Sequence, residues 1–242
     1  MGMKQAAIII GAGDATGGAI ARRFARGGFA AICVRRTEEA VLPLVESIRA
    51  AGLEAEAVGC DARDEDQMIA LFDRVEREAG PVGAMIFNIG ANVHFPITDT
   101  TARIYRKVWE MAAFAGFLAG REAARVMLPR KTGTIIFTGA TASMRGGAGF
   151  SAFAGAKFAL RALAQSMARE LGPQGIHVAH SVIDGAIDTA FIRENFPDRY
   201  KLKDEDGILD PEAIADAYWM LHNQPRTAWT HELDLRPWIE KF

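Results

Sequence analysis

Cysteine is scarce in this chain: Cys33 and Cys60 are its two cysteines, and both lie in apolar, strand-like stretches without metal-ligand spacing. A disulfide framework is therefore excluded as the organiser of the fold, buried thiols in a reducing compartment are implied, and no metal is expected. Neither sign of charge is in excess. The 28 Lys and Arg residues against 30 Asp and Glu give a formal net charge of −2, which offers no footprint for nucleic acid or an anionic membrane. No apolar run is long enough to span a bilayer, and the opening MGMKQ lacks a signal-peptide apolar region. Internal repeats, linkers and low-complexity tracts are missing too. The expectation is a soluble, cytoplasmic chain. Half of its 242 residues are hydrophobic, enough for a sizeable core in one domain over 1–242.

Glycine is plentiful by contrast, and its placement organises the chain. Ala6, Ala7, Ile8, Ile9 and Ile10 form a short apolar run without polar alternation, as in a strand buried on both faces of a parallel sheet. Gly11, Gly13, Gly17 and Gly18 follow at once, and then Ile20, Ala21, Phe24 and Ala25 recur at helical spacing. A glycine-rich turn between strand and helix brings free backbone N–H groups, and the positive end of the helix dipole, up to a ligand. A pyrophosphate suits that place. The alternative is a tight turn with no guest, but strand, glycines and helix come in the order that binding requires.

A second strand, Ala30 to Val34, ends at Arg35-Arg36, before a helix over Thr37 to Ala51. In a dinucleotide fold this strand end faces the adenosine ribose, where an acid suits the 2′-hydroxyl and arginine a 2′-phosphate. No acid occurs until Glu38, so the pair favours NADP(H) over NAD(H), against the alternative of a solvated basic pair. The third strand, Glu54 to Val58, is followed by Asp61, a candidate adenine contact, and by Asp64, which caps a helix to about Ala79. Gly80-Pro81 ends that helix. The fourth strand, Ala84 to Phe87, leads into Asn88-Ile89-Gly90, where the backbone can approach a flat ligand. Beyond it come a helical region from Thr101 to Met127, a strand from Gly133 to Thr138 and a loop of small residues to Gly149. A helix from Ser151 to Leu171 carries Lys157. A strand from Ile176 to Ile183 then ends at Asp184-Gly185, a helix capped by Asp210-Pro211 runs to Leu221, and Thr230 to Leu235 supplies a last strand. Strands alternating with helices predict a Rossmann-like, doubly wound parallel sheet of about seven strands with helices on both faces.

The order of motifs resembles the short-chain dehydrogenase/reductase family over nearly the whole chain. The resemblance rests on Gly11-Ala12-Gly13-Asp14-Ala15-Thr16-Gly17, Asp61, Asn88-Ile89-Gly90, the helix SAFAGAKFALRALAQSMAREL with Lys157, and Asp184-Gly185 with Thr189. It implies a bound nicotinamide cofactor, hydride transfer between that cofactor and an alcohol or carbonyl, and dimers or tetramers built through two long helices. The implied cofactor residues are Gly11, Gly13, Ala15, Thr16, Gly17, Arg35, Arg36, Asp61, Asn88, Gly90, Lys157, Gly185 and Thr189. Lys157 would hydrogen-bond the nicotinamide ribose; its alternative is a lysine reaching from the helix to solvent.

Several family positions are altered. Ala15 replaces the middle glycine of the first motif. Phe153 stands where the family keeps its catalytic tyrosine, one turn before the lysine that lowers the phenol's pKa. Ala140 falls where the substrate-orienting serine belongs, with Thr138, Thr141 and Ser143 as nearby hydroxyls. Ala112 takes the place of the relay asparagine, and Asp184 that of a proline. Of the family's catalytic positions Lys157 is retained. Asp184 and His94 are the candidates for a replacement acid, and the reading of Asp184 as a turn residue and His94 as a loop residue is favoured over either.

Three functions follow. The first is an NADP(H)-dependent oxidoreductase on an unidentified alcohol or carbonyl, with a non-standard proton donor. The second is a pseudoenzyme that binds NADP(H) as a sensor or partner subunit. The third is a structural α/β domain without nucleotide, against which Arg35, Arg36, Asn88 and Lys157 stand. A small-molecule substrate, a homodimer or homotetramer, and a substrate lid over Phe191 to Leu209 complete the expectations.

Overall fold

The computed structural model describes residues 4–241, so the opening residues read for a targeting signal lie largely outside the described residues. Strands β1 (Ala6–Ile10), β2 (Ala30–Arg35), β3 (Ala55–Gly59), β4 (Val82–Phe87), β5 (Gly133–Thr138), β6 (Ile176–Ile183) and β7 (Glu232–Leu235) form one sheet in the order β3-β2-β1-β4-β5-β6-β7. Every neighbouring pair is parallel, with Ile8 opposite Ile32 and Met85, and Phe137 opposite His180. The chain winds outward from β1 to β3 and returns to begin β4 on the other side of β1. That reversal opens a crevice at the carboxyl ends of β1 and β4, where ligands of such sheets bind.

Alternate residues of each strand point to opposite faces, and both faces are covered. Ile8, Ile10, Met85, Phe87, Ile135 and Phe137 pack beneath α3 (Glu65–Glu78), α5 (Ala115–Met127) and α6 (Ser151–Leu171). On the other face Ile9, Cys33, Ile86, Ile136 and Ala179 meet α1 (Thr16–Arg26), α2 (Leu42–Ala50) and α9 (Pro211–His222). This two-sided burial explains the strands' unbroken apolar runs. Both cysteines are buried free thiols, and burial pushes them up, Cys33 to about 12 and Cys60 to about 11.

The expected caps are present: Asp64 accepts the Gln67 N–H at 3.0 Å, and Asp210 the Glu212 N–H at 3.1 Å. Two helical boundaries differ from expectation. The segment after β2 begins as a 3₁₀ turn over Glu38–Val41, and α-helix starts only at Leu42. Pro43 has no N–H and fits only a first turn, so it marks the true start. The region from Thr101 to Met127 is α4 (Ala102–Trp109), a π turn (Glu110–Phe114) and α5. The expected lid contains α7 (Ala190–Asn195), α8 (Pro197–Tyr200) and a 3₁₀ turn (Lys201–Glu205). No helix among the described residues is long and apolar enough to cross a membrane.

Candidate active site

The glycine turn is shaped from both sides. Gly11 has φ +89°, and a Cβ there would stand 2.5 Å from the Asn88 carbonyl oxygen. The Asn88 side-chain amide donates to the Gly11 carbonyl at 3.2 Å, and its backbone N–H to that of Ile10 at 2.8 Å. Glycine at 11 is thus required both by the left-handed backbone and by the approach of β4. A Cβ on Gly17 would lie 2.3 Å from the Gly11 oxygen, so α1 sits directly on the turn. Gly13 and Gly90 face the other way, with nothing within 4 Å of a Cβ position. They leave an open cradle at the uncapped N-terminus of α1, whose cap residue Ala15 makes no side-chain bond. Ala15 has φ −95°, so this position is not in the left-handed region that favours glycine.

Arg35 and Arg36 emerge exposed at the end of β2, and neither side chain forms an ion pair or hydrogen bond among the described residues. Glu38 turns away, its carboxylate 3.4 Å from the Gly59 N–H. Asp61 is differently engaged from the sequence expectation. Arg63 forks its carboxylate, with Nε at 2.9 Å and Nη2 at 2.5 Å, and holds it below the ordinary carboxylate range. An adenine contact would have to share that carboxylate with Arg63, a partner the sequence reading missed.

Lys157 is buried on α6 and ties β4 to β5. Its Nζ donates to the Thr138 carbonyl at 2.8 Å and the Ile89 carbonyl at 3.2 Å. Burial pushes its pKa down to about 8, and it does not reach to solvent. Phe153 lies one turn earlier, its ring centroid 5.9 Å from the ammonium. Phe153 and Ala112 belong to one apolar cluster, with Ala140 packed against it. Three positions that the family makes polar have thus become mutual packing partners.

The neighbouring hydroxyls do not replace them. Thr138 Oγ1 lies 2.9 Å from the Tyr218 hydroxyl, Ser143 Oγ accepts the Ala140 N–H at 3.1 Å, and Thr141 donates to Asp184 Oδ1 at 2.5 Å. Asp184 is 2% exposed and also faces Arg145 at 3.5 Å and Arg236 at 3.4 Å. Its carboxyl oxygens thus accept from Thr141 and Arg145, with Arg236 at ion-pair distance. Nothing local announced this arrangement, since Thr141, Arg145 and Arg236 are each distant in sequence. His94 is exposed and packs edge-on against Phe150, with ring centroids 4.9 Å apart. Gly185, at φ +152°, lies under the C-terminal tail; a Cβ would stand 2.8 Å from Pro237 Cδ. Thr189 caps α7 through the Ile192 N–H at 3.1 Å. With Ala15, Asp188, Arg193 and Tyr200 it lines a cavity of about 300 Å³ beside the glycine turn. On β6, His180 is fully buried with Nδ1 3.1 Å from Glu232, which Arg161, one turn after Lys157 on α6, forks at 2.6 and 2.7 Å.

A family model described as short chain dehydrogenase matches residues 5–200. The chain belongs to the short-chain dehydrogenase/reductase family of oxidoreductases. It is similar to a cis-4-hydroxycyclohexanecarboxylate dehydrogenase from Sinomonas cyclohexanicum, at 30% identity over 78% of this chain and 76% of that one. Among solved structures it is similar to a short-chain dehydrogenase from Rhodopseudomonas palustris, with TM-score 0.83 and 49% identity over 97% of this chain and 99% of that one. A metagenomic short-chain oxidoreductase in complex with NADP shares the fold, with TM-score 0.80 and 24% identity over 98% and 99% of the two chains. Three further relatives at 30% identity, from Melia azedarach, Armillaria gallica and Zingiber zerumbet, are matched over 62 to 68% of their own lengths. Within this member of the family, the crevice between β1 and β4 is flanked by the glycine cradle and Lys157.

Proposed function

We propose that the protein is an NADP(H)-dependent oxidoreductase acting on an activated carbonyl or the corresponding alcohol, working without the family's tyrosine. The observation that carries the reading is Lys157, buried and tied to Ile89 and Thr138 beside an open glycine cradle. The residues fit a nicotinamide dinucleotide. Gly13, Gly17 and the N-terminus of α1 would hold the pyrophosphate, the unpaired Arg35 and Arg36 a 2′-phosphate, and Lys157 the nicotinamide ribose. The NADP complex of the metagenomic relative supports binding of a nicotinamide cofactor. When bound, the cofactor supplies or accepts a hydride.

The chain's own residues would do the rest. Phe153, Ala112 and Ala140 keep water from the reacting face. Lys157, whose pKa of about 8 lies near neutrality, is the retained titratable group behind that face. Absence of a positioned phenol removes a factor of about 10² to 10⁴ in rate, which an activated carbonyl tolerates best. The apolar closure of three polar positions also favours a second reading, a cofactor-binding protein without turnover. The test is consumption of NADPH by the purified protein with a panel of α-diketones. Measurable turnover that depends on protein concentration supports the first reading. Tight NADPH binding with no consumption supports the second.

A further inference from the structure

The carboxyl ends of β4, β5 and β6 release the loops that would surround a substrate, and each exposes large apolar side chains among its polar ones. Phe95 (38% exposed) and Ile97 (72%) follow β4, Met144 (39%) follows β5, and Phe191 (61%) and Phe196 (50%) follow β6. Arg145 interrupts this rim. It lies between Ala140 and Phe153, reaches across to Asp184 at the end of β6, and keeps 46% of its side chain exposed. Its one contact to a carboxylate among the described residues is Nη1 to Asp184 Oδ2 at 3.5 Å, the limit of a hydrogen bond. Asp184 has better partners: Thr141 donates to its other oxygen at 2.5 Å, and Arg236 reaches Oδ2 at 3.4 Å. Arg236 is itself forked by Asp234. The cations of the loop after β6 are matched, Arg193 to Glu194, Arg199 to Glu240, Lys201 to Asp198 and Lys203 to Asp188. Arg145 is therefore held through one nitrogen by a single long contact, while nearly half of its side chain is exposed at the carboxyl end of β5.

We propose that Arg145 is a specificity-determining residue that pairs with the carboxylate of a substrate whose remaining body is apolar. A guanidinium fork matches a carboxylate with two parallel bonds, and an apolar surround strengthens such a pair by excluding water. This rests on the oxidoreductase reading above, because it assigns the cleft to the substrate of that reaction.

The test uses benzoylformate, 3-benzoylpropionate and 4-benzoylbutyrate, each beside its methyl ester, with NADPH and the full-length protein. The readout is the ratio of kcat/KM for acid over ester, in the parent, Arg145→Lys and Arg145→Met. At least one acid is expected to be preferred by the parent. That ratio should fall about 10- to 100-fold in Arg145→Met, chiefly through KM, and be partly kept in Arg145→Lys. Calorimetry of the same acids with the NADP⁺-loaded protein gives an arm independent of turnover, with binding weakened in Arg145→Met. Turnover with no acid preference, or a ratio unchanged in Arg145→Met, overturns the proposal and leaves the oxidoreductase reading intact. If none of these compounds turns over, the oxidoreductase reading is judged by the α-diketone panel and the calorimetry decides the subsite: acid binding that requires Arg145 supports it, and no binding by the parent overturns it.

Discussion

Replacing Lys157 by methionine separates what this residue costs the fold from what it does in the site. Burial lowers the lysine from 10.5 to about 8, which corresponds to about 3 kcal/mol of unfavourable ammonium burial at neutral pH. The two bonds to Ile89 and Thr138 carbonyls return about 1 kcal/mol each. Lys157→Met should therefore unfold within about 2 kcal/mol of the parent near pH 7, where removing a buried hydrogen-bonded residue would ordinarily cost more. The pH dependence is the sharper quantity. Between about 8 and 10.5 the unfolded lysine holds a proton that the folded one has released, so the parent gains stability as pH rises through that window. The gain over the methionine variant should reach about 2 kcal/mol by about pH 9.5. Urea unfolding of both proteins without cofactor, near pH 7 and near pH 9.5, measures it. An identical difference at the two pH values would show that the ammonium is not desolvated, and the reasoning would fail.

Other consequences are open to simpler assays. Phe153→Tyr combined with Ala140→Ser, tested with NADPH and α-diketones, should raise turnover about a hundredfold by restoring one general acid; a slower double variant would mean that the parent has chemistry of its own. His180 and His222 are pushed by burial from 6.5 to about 4, so the unfolded chain binds protons first as pH falls. Stability should drop from about pH 6.5 toward pH 4, by on the order of 5 kcal/mol in total, and a flat unfolding profile there would contradict it. Tyr105, Trp109, Phe117 and Phe158 on α4, α5 and α6 are each 41 to 46% exposed, an apolar surface suited to a two-fold interface. Light scattering should show a homodimer or homotetramer at micromolar concentration, and a monomer would refute it.

Much of the fold was legible because its signals are local. The run from Ala6 to Ile10 is apolar at every position because both sheet faces are covered, and Asp64 and Asp210 cap helices through their own next residues. The start of α2 was misplaced because the acidic run after Arg36 reads as a first turn, while Pro43 holds the real boundary. The π turn around Ala112 interrupts a run that reads as continuous helix, and no local pattern announces it. In the site, the substitutions at Phe153 and Ala140 could be read by spacing, but not that with Ala112 they close into one apolar cluster. Asp184 was weighed as an acid because its partners lie far off, Thr141 by 43 residues and Arg145 by 39. Tertiary pairing turned it into an acceptor.

The account stands most directly on a fluorescence titration of the protein with NADPH and NADH at low salt. It predicts saturable binding of both, tighter for NADPH, with the preference shrinking as salt rises and vanishing when Arg35 and Arg36 are both replaced by serine. Equal affinities for the two cofactors would contradict the assignment of the arginine pair. Failure of NADPH to bind at all would contradict the whole cofactor reading.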